Sequence, residues 1–402
     1  MEEFNKIEIR HICSNICSGG TPKSTVLEYY GGNIPWLNTK EINFSSIYET
    51  EKTITEKGLN NSSAKWIPAN SVIVAMYGAT AGKTAITKIP LTTNQACCNL
   101  TIDSNKADYR FVYYALYNDY AYLASLANGG AQQNLNAQQI KEFEIPYPSL
   151  EKQKGIADIL TTIDNKIELN RRINDNLEQQ AQALFKSWFV DFEPFRGGEF
   201  VDSELGLIPK GWRVVSLGEV TKQITEKVGN REDVTVLSPI NSGELVLSEE
   251  YFTKQVFSKD LSKYLIVNPL SFAYNPARIN IGSIGLNTFD FVGCVSPVYV
   301  VFECEPNYQY FFDFFKRTAM FKDEVALRAI GGVRQSLGYN DLSLIKTIYP
   351  TSDVVVEFNN LYLKMKEVMI KNTDQNEKFI SLRDSLLPKL MSGELKINEF
   401  NC

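Results

Sequence analysis

The 402-residue chain contains one histidine, His11. That scarcity excludes His-rich metal sites, paired-histidine metalloproteases and most Ser-His-Asp triads. The single imidazole reads as a surface or packing residue. An excess of positive charge is also missing. Lys+Arg total 41 against 47 Asp+Glu, for a net charge of −6, so bulk charge does not draw a polyanion to this chain. The seven cysteines (Cys13, Cys17, Cys97, Cys98, Cys294, Cys304 and Cys402) are odd in number, and none lies at C-x-x-C spacing. They read as free thiols of a reducing cytosol. Long apolar runs are absent: residues 291–302 come nearest, but Gly293, Ser296 and Pro297 interrupt them and the run is too short for a bilayer. The first residues have neither the basic start nor the apolar core of a signal peptide. The expectation is a cytoplasmic protein with no membrane partner.

What is present is apolar content, 44%, enough for sizeable cores, and a length that suggests two to three domains. The chain also repeats itself. Gly129-Gly-Ala-Gln-Gln-Asn-Leu135 returns as Gly331-Gly-Val-Arg-Gln-Ser-Leu337, and Tyr147-Pro148 returns at the same offset as Tyr349-Pro350. Lys65-Trp66, Asn70 and Ala75 line up with Lys263-Tyr264, Asn268 and Ala273, so a surface loop differs in length between the copies. After each Tyr-Pro comes a heptad-like seam. The first runs Ile156, Leu160, Ile163, Ile167, Asn170, Asn174, Leu177, Ala181, Leu184, Trp188; the second runs Phe358, Tyr362, Met365, Met369, Asn372, Asn376, Phe379, Arg383, Leu386, Leu390. Both carry paired asparagines at the same two seam positions. Seam asparagine lowers stability and fixes register, so the two helices read as partners in one antiparallel pair.

The fold expected is α+β: two globular domains in tandem pseudo-repeat, separated by two long antiparallel, coiled-coil-like helices. The segments are 1–148, first domain; 149–205, central helix and linker; 206–352, second domain; 353–402, C-terminal helix. Short strand-like runs at residues 71–76, 235–237 and 297–302, and aromatic-rich helical stretches at 109–126 and 308–327, support the mixed class. A helix from about residue 150 to 188 is roughly 57 Å long, the geometry of a molecular ruler. The four segments carry net charges of −1, −4, 0 and −1. Most of the acidic excess therefore falls on the first helix and its linker, as a solvated face or a docking face for a basic partner.

Several motifs approach a chemistry without reaching it. Gly78-Ala-Thr-Ala-Gly82-Lys83-Thr84 has three residues between its glycines where a P-loop has four, which changes the N–H groups that converge on a phosphate. It remains a Gly-rich turn that either presents Lys83 to a DNA phosphate or base edge, or is a hairpin turn with a solvated lysine. Asn275-Pro-Ala-Arg278 lacks the second proline and the aromatic of the adenine-methyltransferase segment, and no strand leads into Gly-x-Gly for S-adenosylmethionine. Arg278 stands out because a guanidinium can bond guanine O6 and N7 together. The repeated Gly-Gly segments place Gln132 and Gln133, or Arg334 and Gln335, beside a flexible pair. They serve as base readers or as helix caps. No arrangement of acids and lysine for a metal-dependent nuclease is recognisable.

The chain resembles the specificity subunit of Type I restriction-modification enzymes over essentially its whole length. The segments are Ser18-Gly-Gly-Thr-Pro-Lys23 with Ile34-Pro-Trp-Leu37, Gly78-Ala-Thr-Ala-Gly-Lys83, Ile145-Pro-Tyr-Pro-Ser-Leu-Glu-Lys-Gln-Lys-Gly-Ile-Ala157 and Lys166-Ile-Glu-Leu-Asn-Arg-Arg172. The most specific are Ala183-Leu-Phe-Lys-Ser-Trp-Phe-Val-Asp-Phe192 and Leu382-Arg-Asp-Ser-Leu-Leu-Pro-Lys-Leu-Met-Ser-Gly-Glu-Leu395. The resemblance implies a non-catalytic subunit whose two domains each grip half of a bipartite site in double-stranded DNA, with helices that set the unread spacer. It implies two modification subunits that use S-adenosylmethionine and two restriction subunits that use ATP and magnesium, with no cofactor in this chain. The second domain begins Gly211-Trp-Arg-Val-Val-Ser-Leu217 without the Gly-Gly-Thr-Pro segment, so its half-site should differ. Candidate DNA contacts are Thr21, Lys23, Lys40, Lys83, Gln132 and Gln133 in the first domain and Arg278, Arg334 and Gln335 in the second. Candidate docking residues are Arg171, Arg172 and Trp188, with core packing an equal reading of Trp188. The competing readings are a stand-alone restriction endonuclease-methyltransferase and a DNA-free coiled-coil scaffold.

Overall fold

Two helices of 40 residues each, Leu150–Phe189 and Ser352–Met391, form where the two seams run. The computed structural model describes residues 4–127, 134–252, 254, 257–329 and 336–396. It comprises two compact units, residues 1–172 with 372–402 and residues 173–371, and each unit takes one half of both long helices.

In the first unit the helical halves run antiparallel. Asn170 donates through Nδ2 to Oδ1 of Asn376 at 3.0 Å and to Oε1 of Gln375 at 3.3 Å, and Asn376 donates to the Ile167 carbonyl at 3.2 Å. The two seams, read in opposite directions, put Asn170 opposite Asn376, so the polar interruptions satisfy each other where an unpaired amide would be costly. In the second unit Asn174 donates to the Met369 carbonyl at 3.0 Å. This is the same bond that Asn376 makes, displaced by the repeat offset.

The globular part of the first unit has a five-stranded sheet in the order Cys13–Ser18, Cys97–Ile102, Val72–Ala75, Thr84–Thr87, Ser45–Ile47. In a second sheet, Tyr30–Leu37 lies between Lys52–Ile54 and Thr92–Thr93, and a short ladder joins Lys6–Glu8 to Glu144–Pro146. Val72-Ile-Val-Ala75 is buried throughout, as expected of a β-branched run in the middle of a sheet. The helix Tyr109–Asn118 is capped by Asp108, whose carboxylate accepts from the Arg110 N–H at 2.8 Å. Its buried face shares one core with Val72, Val74 and Leu100 and with Ile156, Leu160, Leu387 and Leu390 of the long helices.

The second unit repeats the central strands of this plan. Its first sheet runs Thr221–Ile224, Val300–Cys304, Phe272–Tyr274, Ile284–Leu286, matching the first four strands above. In the second sheet Thr235–Pro239 pairs antiparallel with Leu245–Leu247 and parallel with Gly293–Val295. Tyr30–Leu37 pairs in those same two senses with its own neighbours. The first unit adds Ser45–Ile47; the second adds Leu265–Val267 and a separate antiparallel pair, Phe200–Ser203 with Gly206–Pro209. The α+β class and the tandem repeat are thus as expected from the sequence. The aromatic-rich stretches each break into two helices, Tyr109–Asn118 with Tyr120–Ser125 and Gln309–Phe315 with Ala319–Arg328.

The described cysteines are free. Burial pushes the Cys13, Cys98 and Cys304 thiols up to about 12 and Cys294 up to about 11. Against an ordinary value of 9.0, a thiol at about 12 holds about a thousandfold less thiolate. Iodoacetamide at pH 8 is expected to spare these four in the native chain and to label them in urea, read by peptide mass spectrometry. Rapid native labelling of Cys98 would contradict the packing. Among the described residues, no helix is long and apolar enough to cross a membrane, and no group of three or more His, Cys, Asp or Glu is placed to hold a metal.

Candidate nucleic-acid interface

In each unit a hairpin of the first sheet ends in a turn that meets the segment just after a Gly-Gly pair. In the first unit the hairpin joins Val72–Ala75 to Thr84–Thr87, and its turn begins at Gly78, whose φ of +74° favours glycine. The Leu135 N–H donates to the Met76 carbonyl at 2.8 Å, and Tyr77 bridges to Asn134. In the second unit the hairpin joins Phe272–Tyr274 to Ile284–Leu286, and the Leu337 N–H donates to the Pro276 carbonyl at 3.0 Å. Leu135 and Leu337 are the repeated leucines, and both are buried. Each anchor fixes the end of its Gly-Gly segment beside its hairpin turn. Gln132, Gln133, Arg334 and Gln335 themselves lie outside the described residues.

The second turn carries Arg278, exposed and without an ion pair among the described residues. An Asx turn shapes it: the Asn275 side-chain oxygen accepts from the Ala277 N–H at 3.0 Å, while the Arg278 carbonyl accepts from Ile281 and Ser283, both at 3.1 Å. The backbone is therefore committed and the guanidinium is free to bond a planar acceptor pair.

Lys83 is placed differently from either expectation. Its ammonium donates to Asn43 Oδ1 at 2.6 Å and lies 5.9 Å from the centre of the Phe44 ring, and the residue is half-buried. It is engaged with its own fold, because the loop holding Asn43 and Phe44 folds over the hairpin, with the Phe44 N–H donating to the Thr84 carbonyl at 2.9 Å. Phe44 also stacks on Tyr117 at 4.3 Å. Lys40 stands exposed on the same loop, in the one-turn helix Thr39–Glu41, which Asn38 and Glu41 close as a capping box. The structure thus brings Lys40 and Lys83 to one edge. Thr21 and Lys23 are exposed in another loop, where the Thr21 hydroxyl donates to the Gln95 side-chain oxygen. Tyr77, exposed at the first hairpin tip, was missed by sequence reasoning. Its position just before the Gly78 turn was the available signal.

Two of the three helix candidates, Arg172 and Trp188, are engaged within their own units. Arg172 donates to Glu168 at 2.9 Å, one turn away, and its guanidinium lies 4.3 Å from the centre of the Tyr48 ring. Arg171 is exposed and lines a cleft of about 280 Å³ with Lys88, Arg110 and Arg383. Trp188 is half-buried and its ring packs 6.2 to 6.4 Å from Phe189, Phe195 and Phe358, which is the core-packing geometry.

Comparison with known proteins agrees with this geometry. A family model described as the Type I restriction modification DNA specificity domain matches residues 1–179. The chain is 29% identical over 399 residues to the MjaIX specificity subunit of a Type I restriction enzyme from Methanocaldococcus jannaschii, covering 96% of this chain and 92% of that one. It is 24% identical over 354 residues to the HindI specificity subunit from Haemophilus influenzae, covering 69% and 74%. Among solved structures, the S subunit of a Type I restriction-modification system from M. genitalium shares the fold, with a TM-score of 0.59 at 16% identity over 97% of each chain. Over nearly its whole length the chain is thus similar to the specificity subunits of Type I restriction-modification enzymes.

Proposed function

We propose that this chain is the DNA sequence-recognition subunit of a Type I restriction-modification complex, each unit reading one half of an asymmetric bipartite site. The observation that carries this is one scaffold built twice with different chemistry at its tips. The strand plan, the hairpin and the Leu135 and Leu337 anchors repeat. Tyr77 and Lys83 stand at one tip, and Asn275 and Arg278 stand at the other. A common frame with divergent tips is what two readers of different sequences need, because base-edge contacts specify while the frame only positions.

The candidate base and phosphate contacts are Lys23, Lys40 and Arg278 as exposed cations, with Thr21, Gln132, Gln133, Arg334 and Gln335 as further readers and Lys83 as a brace for the Lys40 loop. Two modification subunits dock along the helices, with Arg171 and Arg172 among the docking residues, and two restriction subunits join them in the cytoplasm. S-adenosylmethionine, ATP and magnesium belong to those partners, which also explains how a chain of net charge −6 works on DNA: partners supply much of the phosphate neutralisation. A target adenine is flipped into the partner's pocket.

The test is to co-express the chain with its modification subunit and map methylated adenines across the host genome. One bipartite motif is expected. Deleting one heptad from each long helix, in matched register, is expected to change the spacer and leave both half-sites intact. A changed half-site sequence would reject the helices as the spacer device. Methyl transfer to DNA by the purified chain alone would favour the stand-alone enzyme instead.

A further inference from the structure

Resting on that reading, we propose that residues 240–244 form a second base-reading segment of the second unit, with Asn241 contacting a base edge beside Arg278 and Lys316 holding the two segments in register. Residues 240–244 follow the strand Thr235–Pro239 and lie close against the backbone of the Arg278 turn and the strand after it. Gly282 sits at φ +93°, and a Cβ there would lie 2.6 Å from the Asn241 carbonyl oxygen; a Cβ on Gly285 would lie 2.5 Å from the Glu244 backbone. The Ser283 hydroxyl donates to the Pro239 carbonyl at 2.7 Å. Backbone therefore meets backbone, which fixes the distance from one tip to the other.

Lys316 closes the pair. Its side chain is 4% exposed, and its ammonium donates to the Gly243 carbonyl, on one segment, and to the Ile284 carbonyl at 3.1 Å, at the end of the other. Asp313 balances the charge at 2.8 Å and also accepts from Arg317 at 2.9 Å; Arg317 in turn pairs with Glu178 of the central helix. Burial holds the Lys316 ammonium below its ordinary value while Asp313 opposes the shift. An ion pair removed from water this far is a poor source of stability, but carbonyls on two separate segments give it a geometric purpose.

The tips carry the readers. Asn241 is exposed and its side-chain amide bonds nothing among the described residues, which leaves it free for adenine N6 and N7 as Arg278 is for guanine. The first unit uses the same two elements: its loop bearing Lys40 folds over its hairpin through Asn43, Phe44 and Thr84.

Methylated-adenine mapping of the co-expressed complex tests this, because the map itself reports the target sequence. Asn241→Ala is expected to lower discrimination about tenfold or more at one or two positions of one half-site, leaving the other half-site unchanged. Lys316→Met is expected to relax those same positions and those read by Arg278; a merely structural loss would lower methylation everywhere without changing the motif. Should Lys316→Met fail to fold, Gly282→Ala, which forces the two segments apart without touching charge, reads the same effect. An unchanged motif in Asn241→Ala overturns the base-reading role, and an unchanged motif in a folded Lys316→Met or Gly282→Ala overturns the positioning role. If Arg278→Ala relaxes the motif while Asn241→Ala does not, the recognition function stands and this inference falls. If both are silent, base reading by this edge fails with it.

Discussion

Phe358→Ala is expected to destabilise the second unit by about 3–5 kcal/mol, the range for emptying a fully packed aromatic site. Phe358 is wholly buried and touches three helices at once. Its ring centre lies 5.2 Å from Phe189 and 5.8 Å from Phe185 on the central helix, 5.5 Å from Phe314 on Gln309–Phe315, and 6.2 Å from Tyr362 one turn along its own helix. Several of these pairs meet edge to face, the arrangement aromatic quadrupoles favour, and rings held from three sides cannot collapse into the space. Urea unfolding followed by tryptophan fluorescence checks it, since Trp188 and Trp212 belong to the same core. A loss under about 1 kcal/mol would mean that the domain core does not continue into the helix pair.

That continuity explains which parts of the fold were legible in the sequence. The long helices were legible because their seams repeat over ten positions, and because Asn170 and Asn376 interrupt them where each can satisfy the other. The tandem repeat was legible because Leu135 and Leu337 are anchored identically. The strands were less so: Thr92–Thr93 has two residues, too few for any periodicity, and exists because Trp36 and Leu37 pair with it across 56 residues of chain. Arg278 could be singled out because a lone arginine after Asn-Pro is visible in a linear reading. Lys83 could not be placed, because Asn43 and Phe44, which hold it, lie 40 and 39 residues earlier. Asn241 was missed for the same reason, although its loop follows the strand equivalent to the one before Lys40.

Arg383 broke the apolar pattern of the second seam, and it supplies the second large effect. Its guanidinium pairs with Asp164 at 3.0 Å, donates to the Tyr117 hydroxyl at 2.8 Å and lies 5.0 Å from the centre of the Tyr117 ring, with its side chain 11% exposed. Asp164 also accepts from the Tyr114 hydroxyl at 2.6 Å. Arg383→Met removes the cation and leaves Asp164 with one neutral donor in a half-dry site. Breaking a buried pair in this way costs about 3–5 kcal/mol, and discounting for the partial exposure of Asp164 gives about 2–3 kcal/mol in the first unit. Adding Asp164→Asn removes the stranded charge, so the double variant is expected to lose at least about 1 kcal/mol less than the two single losses together; strict additivity in urea unfolding would show that the pair is not coupled. The effect should also reach the recognition edge. Tyr117 stacks on Phe44, and Phe44 lies under Lys83 on the loop that bears Lys40. On the proposed reading, Arg383→Met is therefore expected to relax the half-site assigned to the first unit while the other half-site keeps its sequence.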